Sequence, residues 1–340
     1  MTKNGDIGPK IIRDLQEAMM IDAEWSVRED RRFTWWGHDL AQRVWAEPVR
    51  QDTGFSVVCV RAETDLLCGV CDSQRTAEIL QSLNCHAAMS GFVWNRERGT
   101  VKLSCSAYCH SENAGWLTQL LSAAVAMQCA DAHIKAGLLP QFLGSQVDRS
   151  SHPRNGLRPE PDDMLHVIEE MFAPEGRGPS AFGPEDFSEA CGALAPYALA
   201  HADESGLTAE FAFSGSAPAV GISNGIARET ALLEVTSDCR HPQLGSGVLL
   251  LLKLPLDCDP NHGASVAQQL NAAEASQWTR CHQFGGWCVD PKLHAPTFAC
   301  FIPSALRRRG LLASLATQML GRTIWAHEVL CGGGNPVAKK

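Results

Sequence analysis

The sequence predicts an α+β protein of two similar domains, each a mainly antiparallel sheet packed with a lead helix, a central helix and a long C-terminal helix. Three observations predict it. The segment CDSQRTAEILQSLN, Cys71 to Asn84, is echoed at equal length by CDPNHGASVAQQLN, Cys258 to Asn271, an offset of 258 − 71 = 187. Further matches keep their order while the offset drifts: Ala23 with Ala209 at 186, Glu47 with Glu234 at 187, Trp94 with Trp287 at 193, and Cys105 with Cys300 at 195. Loop insertions in one copy produce such an ordered drift, whereas chance matches scatter. Finally, strand-like runs precede helix-like runs in each half instead of alternating with them, which favours antiparallel sheets.

Each half opens on an amphipathic lead segment, IIRDLQEAMM or FSEACGALAPYALA. Strand runs follow: EWSV, RFTWW, QRVWAEPV and FSVVCV in the first half, then AEFAF, PAVGIS, ALLEV and GVLLLLKL in the second. In the quoted repeat, Ile79, Leu80 and Leu83 answer to Val266, Ala267 and Leu270, one apolar stripe at helical spacing. Asp72 and Asp259 stand where a carboxylate caps the first turn, and Pro260 suits a first helical position. The repeated Cys-Asp therefore marks a buried strand end followed by a cap.

Next come GFVW, a turn, and TVKLSCSA, in which Val101, Leu103, Cys105 and Ala107 alternate with polar residues. FGGWCVD and TFACFI are their counterparts. GWLTQLLSAAVAMQCADAHIKA and GLLASLATQMLGRTIWAHEVL close the halves with apolar faces broad enough for a sheet. The boundaries read from this pattern are 1–139 for the first domain, 140–162 for a linker rich in Pro, Gly, Ser and charge, 163–331 for the second, and 332–340 for a disordered tail. Each domain is expected to hold its own core.

The chain has 340 residues, more than one core usually supports, with 45% hydrophobic and 20% charged residues and a net charge of −9. That balance excludes a disordered chain and argues against nucleic acid, which needs a basic face. MTKNGDIGPKII has no apolar signal core, and GVLLLLKLPL is broken by Lys253 and Pro255, so neither export nor a membrane partner is expected. The expected compartment is the cytoplasm, where the 14 cysteines should be mostly reduced and pack as small hydrophobes.

The element order resembles the YbjN-like and type III secretion chaperone-like proteins. The likeness rests on AEILQSLN, GFVW, TVKLSCSA and GWLTQLLSAAV in one half, and on VAQQLN, FGGW, TFACFIPSAL and GLLASLATQML in the other. It implies a non-enzymatic protein, chaperone-like or regulatory, that binds a protein or peptide partner. It also implies a tethered pair standing in for a homodimer, hence a monomer with pseudo-dimeric halves. The resemblance supplies no catalytic residue and no cofactor.

The alternative is an enzyme with a cysteine- or metal-dependent site in the inter-domain groove. Its candidate elements are the pair Cys68 and Cys71 ahead of a helix, and Cys281, His282, Cys288 and His294 with Cys85-His86 or Cys109-His110. The CxxC is incomplete in the second copy, and both of its cysteines precede the cap. Zinc ligands are usually closely spaced pairs, which these are not. No phosphate-loop or HExxH motif is present. No catalytic, cofactor or metal residue is therefore assigned.

Features confined to one copy are the better guide to function, because repeated positions mostly maintain the fold. Trp35-Trp36 needs cover on both sheet faces, one side chain inside and the other under the second domain or a partner. Arg307-Arg308-Arg309 precedes the last helix, where cations oppose the helix dipole and an acidic partner would relieve them, the alternative being a plain solvated face. These five are the candidate partner-binding residues.

Overall fold

The computed structural model describes residues 6–52, 54–172, 178–213, 230–256 and 258–331. The first half runs α1 (Gly8–Ala18), β1 (Ser26–Glu29), β2 (Arg32–Trp36), β3 (Ala41–Ala46), β4 (Arg50–Asp52), β5 (Phe55–Cys68), α2 (Gln74–Cys85), β6 (Gly91–Asn95), β7 (Thr100–Cys109), α3 (Ala114–Leu143), β8 (Gln146–Val147) and α4 (Asp163–Phe172). The second runs α5 (Pro184–Leu194), β9 (Leu199–Ala202), β10 (Gly206–Ala212), β11 (Thr230–Thr236), β12 (Arg240–His241), β13 (Gly245–Lys253), α6 (Pro260–Ser276), β14 (Gly286–Val289), β15 (Pro296–Pro303) and α7 (Leu311–Cys331).

The two antiparallel sheets have the same strand order. One reads β1-β2-β3-β5-β7-β6, the other β9-β10-β11-β13-β15-β14, with the short β4 and β8 added to β5 and β12 to β13. In both halves a lead helix precedes the sheet, a helix stands between the fourth and fifth main strands, and a long helix follows the last. The expected α+β pair of similar units is what the chain forms.

Ladder register replaces some of the sequence equivalences. Cys105 pairs with Ala62 and Cys300 with Leu250, while Ala62 pairs with Val44 and Leu250 with Val235. Glu234 therefore answers to Arg43, not Glu47. Phe92 pairs with Leu103 and Trp287 with Phe298, so Trp287 answers to Phe92 and not Trp94. AEWSV and AEFAF do not correspond either, since β1 is an edge strand and β10 lies one strand in. Short similarities survive a slip of two or four residues because alternate strand residues share a face. PAVGIS and the 332–340 tail lie outside the described residues.

The cap is also corrected in one half. Asp259 Oδ1 accepts from the N–H groups of Asn261 and His262 at 2.9 and 3.0 Å. In the first half Ser73, not Asp72, caps α2, accepting from Thr76 N at 3.1 Å. Cys258 is buried and Cys71 exposed, and neither ends a strand, since β5 stops at Cys68 and β13 at Lys253, so the repeated Cys-Asp does not mark a buried strand end.

The repeated Asn has a sharper role. Asn84 Oδ1 accepts from Phe92 N at 2.7 Å while its Nδ2 donates to Phe92 O at 3.1 Å. Asn271 does the same to Trp287, at 2.8 and 2.7 Å. Both β6 and β14 are edge strands. Each central helix thus satisfies backbone groups that its edge strand would otherwise leave buried and unpaired.

The inner sheet faces pack on the helices. Phe33, Val44, Val60 and Cys105 meet Ile11, Leu15, Leu117 and Leu121, and Leu233, Leu250 and Cys300 meet Phe187, Leu315 and Met319. The expectation of wholly separate cores is not met, because one buried apolar cluster runs through both halves. The reason is reciprocal packing, in which α2 lies against β14 and α6 lies against β6. At the crossing, a Cβ on Gly91 would stand 2.6 Å from Gly285 O, so the two halves meet backbone to backbone.

The boundaries shift as well. α3 continues past residue 139 and ends on Gly144, a left-handed cap at φ 58°. The expected linker folds back on the first half, where Ser150 N donates to Asp39 O and Asp162 N to Gly37 O. α4 packs on α3. The lead helix of the second half is α5.

Candidate functional site

Strand alternation sends one face of the first sheet away from α1 and α3. Its outward side chains are Arg32 and Thr34 on β2, Arg43 and Trp45 on β3, Arg61 and Glu63 on β5, and Lys102, Ser104 and Ser106 on β7. The second half covers part of that face. Gln283 and Ser106 exchange two backbone hydrogen bonds of 2.8 and 3.1 Å, and Thr279 N donates to the Tyr108 hydroxyl at 2.7 Å. Trp278 stacks edge-on to Tyr108 at 4.7 Å.

Arg61 anchors the cover. Its guanidinium pairs with Glu47 at 2.5 Å and donates to the carbonyls of Glu274, Ala275 and Gln277 at 3.3, 3.0 and 2.6 Å. Those carbonyls end α6, where the helix has no N–H to offer them and its dipole is negative. A rigid cation fork suits that place better than an ammonium.

Beyond this cover the face lies open. A groove of about 820 Å³ runs over β1, β2 and β3, floored by Thr34, Arg43 and Trp45 and bordered by Glu29, Arg32 and Glu63. A second cleft, about 480 Å³, lies between β6 and α6 and is lined by Val93, Arg96, Lys102, Gln268 and Ala272. Lys102 donates to Glu63 at 2.5 Å, so one ion pair joins the two clefts. Arg96 spans the second, donating to Gln268 Oε1 at 2.6 Å and lying over the Trp94 ring at 4.9 Å. Cations and carboxylates alternate along the path, around a half-buried aromatic.

The second sheet carries a different version of the same face. Arg43 pairs with Asp65 at 2.7 Å, and at the equivalent positions Glu234 pairs with Lys253 at 2.8 Å, the same bridge with its signs exchanged. Where the first half has Glu63, the second has Leu251, and Leu232 and Leu249 are half-buried beside it.

A third pocket, about 250 Å³, sits where α2, α3 and β12 meet, lined by Leu83, His86, Phe92, Asp131, Lys135 and His241. Burial raises the Asp131 carboxyl above its ordinary range. His241 is not poised for proton transfer. Its Nδ1 accepts from the N–H groups of Gln243 and Leu244, and its Nε2 faces His86 O at 2.9 Å. Both ring nitrogens are occupied, and burial pushes the imidazole toward neutrality.

The sequence candidates fall elsewhere. Trp35 is fully buried in the shared core and offers no surface. Trp36 lies under the 149–158 segment, donating to Ser150 Oγ at 3.2 Å and meeting the His152 ring at 4.9 Å. The cover on both faces is therefore internal, and neither tryptophan is available to a partner. The carboxylate beside Arg307 is the chain's own Asp186 on α5, at 3.1 Å, and not a partner's, and Arg308 lies over Trp116 at 5.3 Å. Arg309 is exposed beside them.

Among the described residues no three His, Cys, Asp or Glu side chains converge as metal ligands. Trp45, Arg43 and Glu63 were missed by sequence reasoning. Their signal was charge at outward strand positions, which becomes informative only once the register shows that opposite charges adjoin. No helix among the described residues is long and apolar enough to cross a membrane. Comparison of the chain with family models, with curated proteins and with solved structures finds no match.

Proposed function

We propose that the chain is a non-enzymatic, cytoplasmic binding protein, chaperone-like or regulatory, that holds an extended polypeptide segment on the outer face of its first sheet. The observation that carries this reading is the continuous path from the β1–β3 groove to the α6 cleft, where Arg43, Glu63 and Lys102 alternate in charge around Trp45. Such a floor suits a chain segment of mixed charge with an apolar or aromatic residue against the indole. The likeness to YbjN-like and secretion chaperone-like proteins points the same way, with the second half in the place of a second subunit. On this reading the protein works as a monomer.

An array of extended peptides, followed by fluorescence anisotropy on the binders, tests it. Wild-type protein should prefer segments carrying both charge signs and an aromatic residue. Trp45→Ala combined with Arg43→Glu should weaken them roughly tenfold or more, with far-ultraviolet circular dichroism unchanged. Equal affinity in the double variant would overturn the site. Light scattering should give one chain's mass.

A further inference from the structure

Cys85 ends α2 in the first half, and Cys288 lies on β14 in the second. The packing of α2 on β14 brings them together. The Cys85 thiol stands 3.7 Å from the carbonyl oxygen of Val289, the residue that follows Cys288 on β14, and the Cys288 side chain acts on its ionisation. Cys85 is half-buried and reachable from solvent, whereas Cys288 is 2% exposed. A reachable thiol backed by a buried one is the arrangement of an attacking and a resolving cysteine.

The other half provides a contrast. Under the repeat, Cys85 answers to Ala272 and Cys288 to Val93, residues that line the α6 cleft. Two pseudo-equivalent helix-on-strand contacts hold the halves together, and one of them carries a thiol on each side. The remaining buried thiols are placed differently. Burial pushes those of Cys59, Cys105, Cys129, Cys281 and Cys300 up to about 12, while the hydrogen bond from Cys288 holds that of Cys85 below its ordinary value.

We propose that Cys85 and Cys288 form a peroxide-oxidised pair whose disulfide ties α2 to β14 and so locks the two halves together. The Cys85 thiolate attacks a peroxide oxygen, an S–O bond forms, the O–O bond breaks, and one water leaves after protonation. The product is a sulfenic acid on Cys85. Cys288 sulfur then attacks Cys85 sulfur, an S–S bond forms, the S–O bond breaks, and the hydroxyl leaves as a second water with the Cys288 proton. Two thiols lose two electrons and two protons, and hydrogen peroxide is reduced to two waters.

The test is peroxide titration of the folded protein with intact-mass and peptide mass spectrometry. Wild-type protein should lose two hydrogens in mass and yield a linked Cys85–Cys288 peptide as its main crosslink, reversed by a dithiol reductant. Cys288→Ser should stop at the sulfenic acid, which dimedone traps on Cys85 in the variant and not in the wild type. Cys85→Ser should leave Cys288 reduced, and circular dichroism should show both variants folded. Three results would each overturn the proposal: stable oxygen adducts on wild-type Cys85 without a linked peptide, a different dominant crosslink, or a Cys85 no more reactive than the buried thiols.

Discussion

His282 shows how much a single buried side chain can tie together. It sits in the loop between α6 and β14, accepts from Tyr108 N of the first half at 3.1 Å through Nδ1, and is 4% exposed. Burial, assisted by the nearby charges of Arg322 and His110, lowers its pKa to about 3. A protonated ring would also lose its acceptor for Tyr108 N. Unfolded, the same ring titrates near 6.5. Between these values the unfolded chain binds a proton that the native state refuses, so stability is fully present above the unfolded pKa and falls as pH drops toward about 3. The expected slope is about 1.4 kcal/mol per pH unit from this group. Urea unfolding at a series of pH values should show it, and His282→Gln should remove about one proton's worth of the dependence. An unchanged dependence in the variant would mean that the ring titrates normally in the fold.

Each central helix is positioned by its asparagine. Asn84 and Asn271 bring both a donor and an acceptor to one peptide of an edge strand, and the strand residues Phe92 and Trp287 are 3% and 0% exposed. Leucine in either place fills the space but leaves an N–H and a C=O buried without partners. Each such substitution should cost about 2–4 kcal/mol in urea unfolding, where surface polar changes cost a few tenths. A cost below about 1 kcal/mol would show that water or a backbone shift replaces the clamp. The clamp was half legible in the sequence. The repeat marked both asparagines as equivalent, but the strand residue that each one holds follows from the ladder, and the sequence match had placed it two residues away. Ser73 escaped for a similar reason, since Ser and Asp cap equally well and stand side by side.

Across the whole molecule the halves behave as one interior. The shared apolar cluster, the Arg61 fork on the end of α6 and the close passage of Gly91 over Gly285 leave no plane along which they part without exposing buried groups. Another deep contact crosses within the second half. Arg322 on α7 pairs with Glu274 on α6 at 2.6 Å, both essentially unexposed, and Glu274 also accepts from the Trp287 indole at 2.9 Å. Unfolding should therefore be a single transition in which tryptophan fluorescence and circular dichroism coincide. Gly91→Val should loosen the junction, splitting the two probes or lowering the midpoint by the amount expected of an overpacking penalty of about 1–3 kcal/mol. Two separate transitions in the wild type would show that the halves fold alone.

The sequence by itself determined that the chain is duplicated, that each copy is an antiparallel sheet with three helices in a set order, and where most strands lie. Those are properties of periodicity and local propensity, and RFTWW became β2 residue for residue. Only the tertiary structure decided which faces meet. Trp36 turned out to be covered by the chain's own connecting segment, and Arg307 found Asp186 121 residues away. A pattern in sequence says that a side chain must be covered or a charge answered. It does not say by what, because the covering group is brought in by packing between elements far apart along the chain.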